Sequence, residues 1–116
     1  MPAPVVLVHT SQDLLDATAN LLSGAGQEVA TYTSSLSAIG EIKSEGRLKV
    51  LVTCLVFPEG QPNGISLASM TLHHRPSAKI IFTARPDLVE HVDFGELLLS
   101  PVTAEQLAAA VRKALD

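Results

Sequence analysis

The sequence predicts an α/β domain in which a parallel β-sheet carries helices on both faces. Two continuous apolar runs, Val5-Val6-Leu7-Val8 and Val50-Leu51-Val52, lack the polar alternation of a half-exposed strand, so both of their faces should be buried. Strand-like runs alternate five times with stretches whose apolar residues recur at helical spacing. Such alternation is typical of parallel sheets, whose right-handed crossovers place helices on the sheet faces.

The first half of the chain contains three predicted strands and two predicted helices. In chain order these are a strand at 5–8, a helix from Thr10 or Ser11 to Gly24 and Gly26, a strand at 29–33, a helix from Ser34 or Ser35 to Gly46, and a strand at 50–54. Serine and threonine are favoured before the first helical turn because their oxygens accept its free N–H groups. Glycine is favoured just after the last turn.

The second half begins with a loop at 57–64, which contains two prolines and two glycines. Asn63 should cap the next helix, and Arg75-Pro76 should end it. Strands are predicted at 79–83 and 97–99, and Ser100-Pro101 stops the second of them. The intervening residues 85–96 are weakly patterned, and Thr103 caps a final amphipathic helix.

Composition excludes several classes of protein. Apolar residues make up 47% and charged residues 17% of the 116 positions, which favours one folded domain over residues 1–116. The net charge is −4 and the eight lysines and arginines are scattered, so we expect no nucleic-acid binding. No apolar run reaches the ~20 residues that span a bilayer, and no signal peptide is recognisable, so no membrane contact is expected. The single cysteine fits a reducing cytoplasm.

Polar and reactive residues follow the ends of the predicted strands. They are His9, Thr10, Cys54, Thr83 and Ser100. Because the carboxyl ends of parallel strands meet at one edge of the sheet, and sites in such folds lie outside that edge, we expect these side chains to converge. Cys54 and His9 supply two metal ligands at most, with His91 a remote third, so no metal site is predicted.

Four stretches carry a resemblance to a known family. They are VVLVHTSQDLLDATANLLSGAGQEV, LKVLVTCLVFPEGQPNGISL, KIIFTA and LLLSPVTAEQLAAAVRKAL. In the order and spacing of these stretches the chain resembles, over nearly its whole length, the receiver domain of response regulators of bacterial two-component systems. The resemblance implies a flavodoxin-like doubly wound sheet of five parallel strands in the order 2-1-3-4-5, and a place in phosphorelay signal transduction. It also implies that the fourth helix is shortened here.

The same resemblance indicates which functional residues of the family are retained in this chain and which are replaced. Thr83 stands at the switch threonine of the family, and Pro101 at the proline of its Lys-Pro pair. His9 and Thr10 stand where the family has its magnesium-binding acidic pair. Cys54 stands at the position of the phospho-accepting aspartate, and Ser100 at that of the phosphate-contacting lysine. Magnesium prefers carboxylate ligands, a thiol forms no acyl phosphate, and serine supplies no cation. These departures predict a pseudo-receiver with no catalytic residue, no metal and no cofactor, which is not an enzyme.

Three functions follow from these observations. The first is a binding module whose partner is a signalling protein such as a histidine kinase or another regulator. The second is a redox or small-ligand sensor that uses Cys54 in the former acidic pocket, where helix N-termini and His9 would lower the pKa of the thiol. Against the sensor, a free cysteine is commonly a small buried apolar residue. The third, a small enzyme of flavodoxin-like fold, has the least support.

A candidate interaction surface lies between residues 86 and 99, together with the last helix. Pro86 limits the start of a helix there, and a short cover would expose apolar side chains near the fifth strand. Those singled out are Val89, Val92, Phe94 and Leu97. A homodimer could bury the same patch twice. Alternatively, the segment folds inward and leaves a monomer.

Overall fold

A computed structural model describes residues 4–43, 48–58 and 60–115, apart from the side chains of residues 89–91. The elements alternate between strand and helix along the chain. In order they are β1 (Val5–Val8), α1 (Gln12–Gly24), β2 (Val29–Tyr32), α2 (Ser35–Lys43), β3 (Val50–Cys54), α3 (Gly64–His74), β4 (Lys79–Ala84), a 3₁₀ helix (Pro86–His91), β5 (Glu96–Leu99) and α4 (Ala104–Leu115).

The five strands form one parallel sheet in the order β2-β1-β3-β4-β5, which confirms the predicted topology. Every residue of β1 and β3 is buried, whereas β2 and β5 form the half-exposed edges. The continuous apolar runs therefore mark central strands, as the sequence predicts. In the register between β3 and β4, Cys54 lies beside Thr83, so both reach the carboxyl edge of the sheet.

Helices cover both faces of the sheet, again as predicted. On one face, apolar side chains of α2 and α3, including Ile42 and Leu67, pack against β1, β3 and β4. On the other face, α1 and α4 contribute residues such as Leu15 and Leu107. Both cores are mostly aliphatic, in keeping with the 3% aromatic content, and Phe82 is the largest fully buried side chain.

The predicted caps fix where three helices begin. Ser11 Oγ accepts the Leu14 N–H at 3.3 Å, and Asn63 Oδ1 accepts the Ser66 N–H at 2.8 Å. Thr103 forms a reciprocal pair, in which its Oγ1 accepts the Gln106 N–H while the Gln106 side chain accepts the Thr103 N–H. Such caps satisfy N–H groups that have no partner within the helix. Gly46, the predicted end of α2, lies outside the described residues.

The segment between β4 and β5 contains the six-residue 3₁₀ helix in place of a full helix, which confirms the predicted shortening. Pro86 begins this helix, consistent with the restriction that proline places on a helix start. Gly95, with φ +79°, then leads into β5. A Cβ at Gly95 would come within 3.1 Å of the Ile80 carbonyl oxygen, so this turn passes close to β4.

The loop after β3 is joined to the start of α2. Gln61 Oε1 accepts the backbone N–H of Ser35 at 3.0 Å, and the buried Ser35 hydroxyl donates to the Pro62 carbonyl oxygen at 2.8 Å. Just before α2, Ser34 Oγ accepts the Ser37 N–H. Two helix-starting N–H groups of α2 are thus satisfied, one locally and one by the loop.

Helix α3 begins in direct contact with the end of β3. The Gly64 N–H donates to the Leu55 carbonyl oxygen at 2.9 Å. A Cβ at Gly64 would overlap the Cys54 carbonyl oxygen and lie 3.0 Å from the Leu55 Cα. These neighbours are backbone atoms that cannot rotate away, so glycine is required here for close approach.

We expect Gly64→Ala to lower the free energy of unfolding by about 2 kcal/mol or more, since the helix must move away from β3 to admit the methyl group. Gly40 in α2 provides the matched control, because its Cβ position has no atom within 4 Å. Gly40→Ala should raise the free energy of unfolding by roughly 0.5 to 1 kcal/mol through helix propensity. Urea unfolding measures both, and equal effects of the same sign would contradict the steric argument.

Candidate functional site

A cleft of about 230 Å³ opens at the carboxyl edge of the sheet, and we call it the edge cleft. It brings together all five predicted edge residues and several neighbours that follow the same strands. Its lining consists of His9, Thr10, Cys54, Leu55, Val56, Thr83, Ala84, Arg85, Leu88 and Ser100. Pro101 is exposed and follows a cis peptide bond from Ser100. The convergence of strand ends predicted from the sequence is therefore confirmed.

Sequence reasoning did not place the other five lining residues at this edge: Leu55, Val56, Ala84, Arg85 and Leu88. Leu55 and Arg85 each directly follow a strand, so the rule that sites lie outside the carboxyl ends of strands could have found them. Leu88 belongs to the 3₁₀ helix, whose position over the cleft has no sequence signature.

Cys54 is buried within the core cluster on the α2 and α3 face, with 9% of its surface exposed. Its Sγ lies 3.5 Å from the Val56 carbonyl oxygen. Burial raises the pKa of the Cys54 thiol and outweighs the opposing effect of backbone hydrogen bonds, the largest of which involves Thr10. The thiol is therefore uncharged at neutral pH, which favours the reading of Cys54 as a small apolar residue.

His9 is half-buried and held by backbone partners. The ring Nδ1 accepts the backbone N–H of Ser11 at 2.9 Å, and the backbone N–H of His9 donates to the Tyr32 carbonyl oxygen at 3.1 Å. Burial lowers the pKa of the His9 imidazole, so the ring is neutral at pH 7. Because Nδ1 accepts a hydrogen bond, the proton of the neutral ring sits on Nε2.

Thr83 places a hydroxyl without a partner beside the edge cleft. The residue is 1% exposed, and its Oγ1 forms no hydrogen bond with any part of the chain that the structure describes. Thr53, at the end of β3, shows the usual situation, since its buried Oγ1 donates to the Cys54 carbonyl oxygen at 2.8 Å. Buried hydroxyls are normally paired because desolvation without a hydrogen bond is costly. Thr83 thus lines the edge cleft and carries a buried hydroxyl whose hydrogen-bonding capacity is unused within the described chain.

Among the described residues that line the edge cleft, Arg85 alone carries a formal charge at neutral pH. Its Nη2 lies 3.3 Å from Asp87 Oδ2 in an ion pair whose side chains are 68% and 65% exposed. Among the described residues, no carboxylate lines the cleft, and residues 4–43, 48–58 and 60–115 hold no group of three or more His, Cys, Asp or Glu side chains that could bind a metal. The described part of the lining therefore offers hydrogen-bond donors and one cation, but no anion.

The predicted interaction surface is less exposed than its apolar character suggests. Val92, Phe94 and Leu97 are half-buried and pack against the core cluster on the α2 and α3 face. The ring of Phe94 meets that of Phe82 edge to face, with centroids 5.4 Å apart. On β5 it is Leu99 that faces solvent, with 51% exposed. The Val89 and His91 side chains lie outside the described residues, so an interface through this surface stays a prediction.

A larger cavity, of about 540 Å³, lies at the opposite edge of the sheet. Lys79 and Glu96 line it where β4 and β5 begin, and Lys113 lines it from the last turn of α4. None of the buried unpaired polar atoms found in the described chain belongs to its lining. Its size alone does not make it the better candidate, because the chemically distinctive groups are in the edge cleft.

We expect acid to destabilise the fold through His9. The pKa of this imidazole is lowered in the folded state, so below about pH 6.5, the ordinary value, the unfolded chain binds more protons. The free energy of unfolding therefore falls as the pH drops through that value. His9→Asn, whose Oδ1 can still accept the Ser11 N–H, should flatten the decline between pH 7.5 and 5.5 in urea titrations. His73, an exposed residue of α3, provides the control, and His73→Asn should keep the wild-type slope. Equal slopes for the wild type and both variants would contradict a role for His9 in the pH dependence.

Comparison with known proteins assigns a fold. No protein-family model matches the sequence, and neither does any curated protein. Solved structures match over nearly the whole chain. A response regulator receiver protein from Sinorhizobium medicae WSM419 is 25% identical with a TM-score of 0.80, and the match covers 96% of this chain and 92% of that one.

Two further structures agree. A response regulator receiver domain protein from Clostridium thermocellum is 21% identical with a TM-score of 0.82, covering 97% of this chain and 94% of that chain. The receiver domain of the hybrid histidine kinase CckA is 18% identical with a TM-score of 0.78, covering 97% and 98%. With its strand order and its helices on both faces, the chain has the fold of response regulator receiver domains.

Proposed function

We propose that this chain is a degenerate receiver domain that acts in bacterial signal transduction through protein–protein contacts, without aspartyl phosphorylation. The observation that carries the proposal is that none of the described residues lining the edge cleft is a carboxylate. Cys54 stands at the end of β3, and His9 and Thr10 follow β1. The likeness to solved receiver domains supports the fold, and the residues that line the cleft support the loss of phosphotransfer chemistry.

Each chemical requirement of phosphorylation is unmet by the groups in the cleft. Formation of an acyl phosphate needs a carboxylate oxygen as nucleophile, whereas Cys54 offers an uncharged, buried thiol. Magnesium requires oxygen ligands that are usually carboxylates. Ser100 carries no charge to stabilise phosphoryl oxygens. Of the acids that could substitute, Asp13 is exposed on α1 and does not line the cleft, and Glu59 lies outside the described residues.

Binding, unlike phosphotransfer, needs only the scaffold and a surface. The sheet order and the helices on both faces are those of receivers, one of which belongs to a hybrid histidine kinase. We infer a signalling protein as partner, a histidine kinase or another regulator, or a second copy of the chain. The half-exposed edge strand β5 and its exposed Leu99 are the best-supported contact region. The net charge of −4 supports neither a nucleic-acid partner nor a membrane partner, and the free Cys54 fits the cytoplasm.

No helix within the described residues is long and apolar enough to cross a membrane.

We expect the wild-type protein to remain unmodified when it is incubated with Mg²⁺ and acetyl phosphate, as followed by intact mass. The matched control restores the four missing groups together: His9→Asp, Thr10→Asp, Cys54→Asp and Ser100→Lys. If the scaffold is that of a receiver, this combined variant should gain one base-labile phosphate in the presence of Mg²⁺ and none in EDTA. A stoichiometric phosphate on the wild-type chain would overturn the proposal.

The redox alternative is tested by thiol labelling. Because Cys54 is buried and burial raises the pKa of its thiol, a disulfide reagent such as DTNB should react with the folded protein on the order of a hundredfold more slowly than with the urea-unfolded chain. The unfolded chain serves as its own control, since Cys54 is the only cysteine. Labelling at equal rates in both states would favour the sensor.

A further inference from the structure

We propose that the edge cleft binds a small organic carboxylate with a short apolar tail. The inference rests on the proposed function in one respect, since it requires a cleft free of carboxylates and of bound magnesium. The carboxylate would take hydrogen bonds from Thr83 and His9 and face the charge of Arg85. The tail would lie against the apolar wall formed by Leu55, Val56 and Leu88.

The hydroxyl of Thr83 is the observation that points to a ligand. Thr83 is 1% exposed, and its Oγ1 is unpaired within the described chain, yet the residue lines an open cleft rather than a closed core. A hydrogen bond made on ligand entry would replace an unpaired buried group by a paired one. Such a change is more favourable than adding one more bond at a surface.

Two further groups share the same preference for an oxyanion. The His9 ring lines the cleft and is held through Nδ1, which leaves the Nε2–H as a donor. Arg85 supplies the only formal charge among the described lining residues, and its pairing with Asp87 is exposed and therefore weak. A guanidinium can present two parallel N–H groups to a carboxylate. Two donors and one cation thus match a single negative charge.

The apolar wall sets the other half of the ligand. Leu55, Val56 and Leu88 line both the edge cleft and a second cleft of about 230 Å³, which continues toward Asn63 and Ile65 at the start of α3. Val56 is 61% exposed, although it belongs to this wall. At the liquid-water volume of about 30 Å³ per molecule, each cleft holds roughly seven or eight non-hydrogen atoms. A carboxylate with about four to eight carbons would span the pair.

Other ligand classes fit less well. A divalent cation would find no carboxylate among the described lining residues. Inorganic phosphate carries up to two charges and no apolar part, so it would meet one cation and leave the wall unused. A neutral amide of the same shape could bond to Thr83, but it would carry no charge to attract Arg85.

The test is a titration of the ¹⁵N-labelled full chain followed by amide chemical shifts, with butyrate, hexanoate, butyramide and inorganic phosphate as probes. We expect saturable shifts clustered at residues 9–10, 54–56, 83–88 and 100 with both carboxylates. Affinity should rise by up to about fourfold per added methylene as the tail is buried. Butyramide and phosphate should bind at least about tenfold more weakly than butyrate, from the loss of a charge-assisted bond. Non-saturating or scattered shifts with the carboxylates, or equal affinity for butyramide, would overturn the proposal.

Variants separate the site from general effects. Thr83→Val exchanges an unpaired hydroxyl for a methyl group of similar shape, so the fold should persist while butyrate affinity falls about tenfold or more. Thr18→Val makes the same exchange at the other buried threonine with an unpaired Oγ1, in α1 and outside the cleft lining, and should leave affinity unchanged. Arg85→Gln should weaken butyrate binding but not butyramide binding. Unchanged butyrate affinity in Thr83→Val would overturn the site.

Failure of this proposal is distinguishable from failure of the proposed function. Absent ligand shifts together with an unmodified wild-type mass after acetyl phosphate treatment would remove the ligand site and keep the non-phosphorylated receiver. A phosphorylated wild-type chain would rule out the non-phosphorylated receiver, whatever the titration shows.

Discussion

Burial of the two central strands on both faces is the constraint on which the rest of this structure depends. Every residue of β1 and β3 is buried, and only Cys54, at the end of β3, is as much as 9% exposed, so neither strand can carry an ionised group along its length without a large desolvation cost. Polar chemistry is thereby confined to the points where these strands end. The adjacent ends of β1, β3 and β4 form one edge, and the helix starts set by Ser11, Asn63 and Thr103 surround it. The edge cleft is a consequence of this arrangement.

Apart from Arg85, the described groups that line the edge cleft are electrically neutral at pH 7. Several carboxylates in such a partly buried cleft would repel one another and would need a cation to offset the repulsion. With a thiol, a neutral imidazole and hydroxyls, that repulsion is absent and no cation is needed. The geometry of the scaffold and the chemistry of the cleft are therefore separable properties of this chain, and a fold-level likeness informs only the first.

Sequence reasoning predicted the features that local pattern controls. The apolar runs 5–8 and 50–52 marked the central strands, and hydroxyl or amide residues marked three helix starts. Strand topology then placed His9, Cys54 and Thr83 at one edge. What escaped prediction depends on distances between separate segments. The inward packing of Phe94 on Phe82, the lack of a partner for the Thr83 hydroxyl and the contact of Gly64 with β3 have no local signature.

The hydrogen bond between Gln61 and Ser35 has a consequence for how the molecule opens. Helix α2 completes its first turn only when a residue that follows β3 is in place, because Gln61 accepts the Ser35 N–H from 26 positions further along the chain. Detachment of the loop would also leave the buried Ser35 hydroxyl without its acceptor, the Pro62 carbonyl oxygen. The start of α2 and residues 60–62 thus open together as one cooperative unit. Amide exchange with solvent at Ser35 would report on the state of the loop that follows β3, whose residues Leu55 and Val56 line the edge cleft.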